Sequence, residues 1–442
     1  MKLNKIMLAV MAAATMSFVS CSQEEAIDTQ ASENTTAENA NFTVVEEKEM
    51  TGSELFETSM QGMSQYAGME AYQDMKKAFE EANGTISDDN TTRSFVPTLY
   101  KTARITYTTT DQNMQPVTAS ALIVYPLFTK MHKVMLINHG TQIGFMMIPT
   151  NFTSVEAVMA ATGSFCVMPD YIGLGASKDH ADLYLNHDVH GRTSIDALLA
   201  GLDYAEEKGL KLCDDYKTHI LGYSQGGSVS LASLREVQRR DKATQARINL
   251  DRVFCGDGPY DLSRTFQSYI EDYNEGKKMG LGAVIPMVIN SMFNSYPDEV
   301  ANINYKDFFT EKCWNTGVPE AIRNNSEDVL DVVVKLNGWK LNEIMDMDYT
   351  SQNPEDLQLL ISLMDRQNLC KGWSPEYKLK LLHCNPDGVV PFSNFEEAEQ
   401  YLKNDNVETE VVNINTNLIS DPLLQHVYGM MVMLKEVFAD EY

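Results

Sequence analysis

The sequence predicts an α/β fold: a mostly parallel eight-stranded sheet with helices on both faces, plus an inserted helical cap. Three observations carry this reading. Short runs of β-branched and apolar residues alternate with amphipathic runs at helical spacing, and the strand-like runs close in turns rich in Gly, Pro and Asp. Residues 218–229, THILGYSQGGSV, read as a strand, a tight Gly-x-Ser-x-Gly corner and the first turn of a helix. The alternation then lapses over residues 263–375, a stretch too long for a structureless loop.

The chain begins Met1-Lys2-Leu3-Asn4-Lys5, followed by an apolar run over residues 6–19 and then Ser20-Cys21. A basic start, a short apolar run and small residues before a break describe a secretory leader, too short to span a bilayer. Cys21 after Phe18-Val19-Ser20 resembles a bacterial lipobox, with Phe18 where Leu is usual. This implies a lipoprotein signal peptide over 1–20, a lipid on Cys21 and an outer-membrane place in the cell envelope, exposed at the surface. A plain cleaved signal peptide fits the same pattern. Residues 21–50, rich in Glu, Thr, Asn, Ala and Ser, are expected to form a disordered tether. Residues 51–92 are expected to hold an N-terminal helical segment, because Leu55, Phe56, Met60 and Met63 recur at helical spacing.

The first part of the core is assigned to 93–262. Residues 102–110 and 117–125 read as antiparallel strands joined at Asp111-Gln112-Asn113. Two apolar strands follow, 133–138 ending in His139-Gly140-Thr141-Gln142, and 165–168 ending in the turn Pro169-Asp170-Tyr171-Ile172-Gly173-Leu174-Gly175. Ile195, Leu198, Leu199, Leu202 and Ala205 mark a helix. Beyond the Gly-x-Ser-x-Gly corner, a strand over 252–255 closes in Gly256-Asp257-Gly258-Pro259-Tyr260-Asp261-Leu262. The cap, 263–375, has helical stretches over 328–336 and 355–365. The second part of the core, 376–442, supplies a strand over 378–384, a helix over 395–403, a strand over 408–414 and a last helix over 426–438.

The formal charge is −27, which excludes nucleic acid as the main partner. No Cys-x-x-Cys pair or Cys/His cluster has zinc spacing, so neither metal nor cofactor is expected. Cys166, Cys255 and Cys384 fall in apolar strands as inert thiols, while Cys313 and Cys370 are available to pair in an oxidising compartment.

The corner carries the chemistry. Its strand and helix pass so close that Gly222 and Gly226 have no room for a Cβ, and Ser224 is left exposed at a helix N-terminus, where developing negative charge is favoured. A serine hydroxyl needs a base, and histidine titrates in the right range. His426, between the last strand and the last helix, is the candidate; His383 sits within a strand and reads as core. The acid that orients the base is Asp387, in the turn Asn385-Pro386-Asp387-Gly388, with Asp257 as the alternative. The order Ser…Asp…His is that of α/β-hydrolases. The oxyanion donors are the N–H of Gln225 and a group in the turn after residue 138, with Thr141 the best candidate. His139, Tyr171 and Tyr223 stand beside these turns as candidates for touching substrate.

The segments Pro169–Gly175, Gly222–Gly227, Gly258–Leu262 and Asn385–Pro391 resemble those of bacterial α/β-hydrolases of the secretory-lipase-like group, from about residue 100 to the end and most weakly in the cap. The resemblance implies an esterase or lipase with a cap after the sixth strand and no metal. The expected substrate is a small-molecule, lipid or acylated-glycan ester, met at a membrane through the N-terminal lipid. Met279, Met287, Met292, Phe293, Phe308 and Phe309 would then line an acyl pocket or, as for most such residues, pack the cap. A peptidase on the same fold would use Glu271, Asp272 and Glu275 to hold a substrate amine. A non-catalytic binding lipoprotein is the third reading, against which the complete Ser, Asp and His set argues.

Overall fold

A computed structural model of the chain describes residues 41–52, 54–55, 99–141, 149–150, 155–325, 334–416 and 422–441. Nine strands make one sheet: β1 (Phe42–Thr51), β2 (Leu99–Thr110), β3 (Pro116–Pro126), β4 (Met131–Asn138), β5 (Phe165–Pro169), β6 (Leu212–Tyr223), β7 (Leu250–Gly256), β8 (Lys378–Asn385) and β9 (Val407–Asn413). Their spatial order is β1-β2-β3-β5-β4-β6-β7-β8-β9. The first three strands and β5 pair antiparallel, and every pair from β5 through β4 to β9 is parallel.

The parallel strands are buried on both faces, so they read as continuous apolar runs rather than as alternation. In β4, Val134 and Leu136 enter one core, and Met135 and Ile137 enter the other. The first core is closed by α1 (His187–Glu207), α2 (Gln225–Arg239) and, after β8, a helix at Phe392–Leu402, through Ile195, Leu198, Leu231, Leu234 and Phe395. The opposite face is covered by the helical turns of Val155–Thr162 and by the last helix, Pro422–Glu441, through Met159, Met433 and Val437.

The eight expected strands are present, and the ninth is β1. Residues 42–51 were expected to lie in the disordered tether and the start of the helical segment, because Glu46, Glu47, Lys48 and Glu49 make them polar. The strand forms at the sheet edge, where charges face outward and still find partners. Arg104 donates to Glu46 at 2.7 Å, Lys101 lies 3.4 Å from Glu47, and Tyr204 donates to Glu47 at 2.9 Å. Phe42 turns inward onto the Tyr204 ring, 5.9 Å between centroids. The signal peptide, Cys21 and almost all of the 51–92 helical segment lie outside the described residues.

Between β7 and β8 the chain leaves the sheet for the cap. It opens with α3 (Lys242–Ile248) already behind it, then α4 (Leu262–Glu275), α5 (Val284–Ser295), a series of short turns and α6 (Pro354–Asp365). The cap has its own apolar core, in which Met279, Met287, Met292, Phe293, Phe308 and Phe309 are all buried. Cys313 and Cys370 are separate free thiols, each buried, so the pairing left open by the sequence is not made.

Candidate active site

The corner at Ser224 is where three strand ends meet. Ser224 itself holds φ 58° and ψ −124°, a region that costs a non-glycine residue roughly 1–3 kcal/mol. A Cβ on Gly222 would overlap the carbonyl of Gly226, and one on Gly226 would overlap the carbonyl of Asn138 at the end of β4. Glycine at both positions lets α2 start flush against the sheet. The N–H of Gln225 stands at the first position of α2, where the helix supplies no acceptor of its own.

The turn after β4 runs directly beside the serine: a Cβ built on Gly140 would lie 3.9 Å from that of Ser224. Thr141 Oγ1 is 2.9 Å from the hydroxyl of Tyr184, which shares a pocket wall with Ser224. His139 and Tyr171, expected to touch substrate, are instead buried beneath this turn. Their rings stack at 4.0 Å, the Tyr171 hydroxyl donates to the His139 carbonyl at 2.9 Å, and Tyr171 stacks on His190 at 4.6 Å. They hold the turn and do not line the pocket, and sequence could not show this because the stack is built from the turn after β4, the turn after β5 and α1.

The turn after β8 supplies an acid, and the final helix supplies an imidazole. The Nδ1–H of His426, on the final helix, which we label α8 after α7 (Phe392–Leu402), donates to Asp387 Oδ2 at 2.6 Å. The other Asp387 oxygen accepts the N–H groups of Val389 at 2.7 Å and Val390 at 2.9 Å, so the carboxylate cannot turn. With Nδ1 protonated, the neutral ring presents Nε2 as an acceptor. That nitrogen is buried and has no hydrogen-bond partner among the described residues. Burial pulls the His426 pKa down, but the Asp387 charge and hydrogen bond, helped by Asp257, outweigh it and hold the value above 6.5.

Asp257 does not meet His426. It is fully buried beneath the site, 2.7 Å from His383 Nδ1, and accepts the N–H of Cys384 at 2.9 Å. The Tyr223 hydroxyl lies between the other Asp257 oxygen and the main-chain carbonyl of His426. Tyr223, a candidate for touching substrate, is thus a rivet between the strand that carries Ser224 and the helix that carries His426, and it does not line the pocket. Gly429 makes room for it, since a Cβ there would strike both the hydroxyl and Asp257. The only trace of this network in the sequence was Asp257 standing after a strand as a second acid. Asp257, His383 and Asp387 come within 4.8 Å of one another through one ligand atom each, a spacing open to a cation, but both carboxylates are already engaged.

Ser224 opens on a small apolar pocket of 20 Å³. Leu262, Phe266 and Tyr269 of α4 and Val284 and Val288 of α5 form its cap side, and Val389 and Val390 of the acid turn close it. Tyr269 donates to the Val389 carbonyl at 2.5 Å, tying cap to turn. None of the six Met and Phe residues first considered for an acyl pocket lines it.

A family model described as secretory lipase matches residues 137–435. No curated protein matches the chain. Among solved structures, the chain is similar to the rice cell wall degrading esterase LipA from Xanthomonas oryzae, with a TM-score of 0.64 and 19% identity over 76% of this chain and 90% of that one. It is also similar to Candida antarctica lipase A in its closed state, with a TM-score of 0.52 and 14% identity over 72% of this chain and 73% of that one. At such identities the likeness is one of fold.

The buried histidines under the site make a prediction about acid stability. Burial lowers His139 and His187 to about 4, and burial together with His187 and His139 lowers His190 to about 3. Each gains a proton on unfolding, where its value returns to 6.5. Stability present above pH 6.5 is therefore lost as pH falls toward the folded values. Replacing His190 by Leu removes one such group. Between pH 6.5 and 4 the wild type will lose about 3 kcal/mol more stability than His190→Leu, measured by urea unfolding at both pH values. Equal losses would contradict the neutral, buried assignment.

Proposed function

The chain belongs to the secretory lipase family, and we propose on that premise that it is a serine hydrolase cleaving carboxylic esters through an acyl-enzyme on Ser224. The observation that carries the reading is the Asp387–His426 pair, whose Nε2 is left without a partner among the described residues, together with a pocket that the Asp387 turn shares with Ser224 through Val389 and Val390. In this reading Ser224 Oγ attacks the ester carbonyl while His426 Nε2 takes its proton. Asp387 keeps the imidazole in the right tautomer and stabilises its charge. The N–H groups of Gln225 and Thr141 receive the oxyanion. His426 returns the proton to the departing alcohol, and water, activated by the same imidazole, releases the acid and restores Ser224. Asp257 acts through Tyr223 as a positioning group for the base.

The bulky cap-side wall of Phe266, Tyr269 and Val288 favours a short acyl chain. The likeness to a cell wall degrading esterase is compatible with an acylated glycan as the alcohol part. The peptidase reading loses its support. Glu271 pairs with Arg264 at 2.8 Å, and Lys277 lies 2.7 Å from Asp272 and 3.0 Å from Glu275, so each of these carboxylates already has a cation partner. The leader supports export and anchorage through a lipid on Cys21; no described helix is long and apolar enough to cross a membrane.

Three measurements test this. Ser224→Ala will lower kcat/KM on p-nitrophenyl butyrate by a factor on the order of 10⁴ or more, and wild-type turnover no faster than the variant's would reject the hydrolase. The base works only when neutral, so kcat/KM will fall on the acid side with an apparent pKa above 6.5; a limb well below that value would remove His426 from the role. Acetate and butyrate esters will outrun octanoate, and Phe266→Ala will raise octanoate turnover about tenfold or more relative to acetate. An unchanged chain-length profile would mean that this wall does not set acyl size.

A further inference from the structure

We propose that His132, Cys213 and Asp215 form a binding site for a divalent cation of the zinc type, at the end of the sheet opposite Ser224. The strand that leads to the serine, β6, begins at Leu212 and spans 12 residues, which puts its two ends roughly 30 Å apart or more. The site is therefore independent of the catalytic reading.

The cluster has a local cause. β4 and β6 pair in parallel with Met131 opposite Leu212, and the next pair is Lys133 opposite Lys217. The surplus residues of β6 bulge out against His132, and a bulge re-aims side chains that a regular strand would alternate between faces. One ligand atom from each of the three side chains comes within 4.8 Å of the others. Cys213 Sγ lies 2.9 Å from His132 Nδ1. A tetrahedral zinc ion holds its ligand atoms roughly 3.5 Å apart, so small rotations of the three side chains close the set.

The donors suit a zinc-like transition-metal ion. Thiolate and imidazole select zinc-like cations over magnesium or calcium, and a carboxylate completes three protein ligands with a fourth position left for water. As the metal–sulfur bond forms, the Cys213 thiol releases its proton to solvent, and the neutral imidazole donates a lone pair. The thiolate and carboxylate together balance the two positive charges of the ion. The surroundings agree. Cys213 is 2% exposed and not in a disulfide, while His132 and Asp215 reach the surface, so the sulfur is covered and the outer position is open. Among the described residues no cation pairs with Asp215. Asp214 beside it is also exposed, and the net charge of −27 draws cations toward the molecule.

The test is a cobalt titration of the whole, tag-free chain after chelator treatment. Co²⁺ will bind one equivalent, producing a sulfur-to-cobalt charge-transfer band and the visible bands of a tetrahedral ion, and Zn²⁺ will displace it. Cys213→Ser will abolish the charge-transfer band, and His132→Asn and Asp215→Asn will each weaken binding about tenfold or more. Circular dichroism of the metal-free variants will match the wild type, which separates loss of a ligand from loss of the fold. No cobalt binding by the wild type, binding without a charge-transfer band, or a band that survives Cys213→Ser would each overturn the proposal.

Discussion

The arrangement depends on one close approach: the backbone of the corner at Gly222 to Gly227 lies against the ends of β4 and β7 with no side chain between them. A Cβ on Gly226 would overlap the Asn138 carbonyl, and one on Gly227 would overlap that of Gly256. This contact lets α2 begin where β6 stops and forces Ser224 to φ 58°. The strain is held by the packing of α2 on the sheet through Leu231, Leu234 and Val237, and it leaves the hydroxyl at the mouth of a helix N-terminus.

From that corner the other groups are placed by strand ends and not by loops alone. The turn after β4 brings Gly140 beside the serine. The turn after β8 holds Asp387 with two main-chain N–H groups, and the last helix brings His426 to it. Two buried carboxylates stand under this rim with different duties. Asp387 meets the imidazole directly, whereas Asp257 ties β7, β8, Tyr223 and the His426 backbone together. Removing either partner from such a buried pair leaves an uncompensated charge, which is the costly direction.

Much of this was legible in the chain, and the limits have physical causes. β4, β5 and the end of β6 read clearly because parallel strands buried on both faces are unbroken apolar runs. β1 was hidden because an edge strand carries charges such as Glu46 and Glu47. The start of β6 was hidden because its bulge is polar at Asp214 and Asp215. Ser224, Asp387 and His426 stand out as residue types after strands. Which of two aspartates meets the imidazole depends on turn geometry that sequence does not carry. Burial of His139, Tyr171 and Tyr223 depends on stacking among distant elements, so their appearance beside the site suggested contact with substrate where the structure has support. The cap's methionines fill its own core, and its pocket wall comes from Phe266, Tyr269 and Val288, which no periodicity singled out.

The most direct test of the central claim is a crystal structure of the protein after reaction with a fluorophosphonate. Phosphorus will be bonded to Ser224 Oγ, the phosphoryl oxygen will lie within hydrogen-bond reach of the Gln225 and Thr141 N–H groups, and His426 Nε2 will face the modified oxygen with its Nδ1–H still on Asp387. A label on another residue, or an imidazole turned away from Ser224 with the Asp387 bond intact, would contradict it.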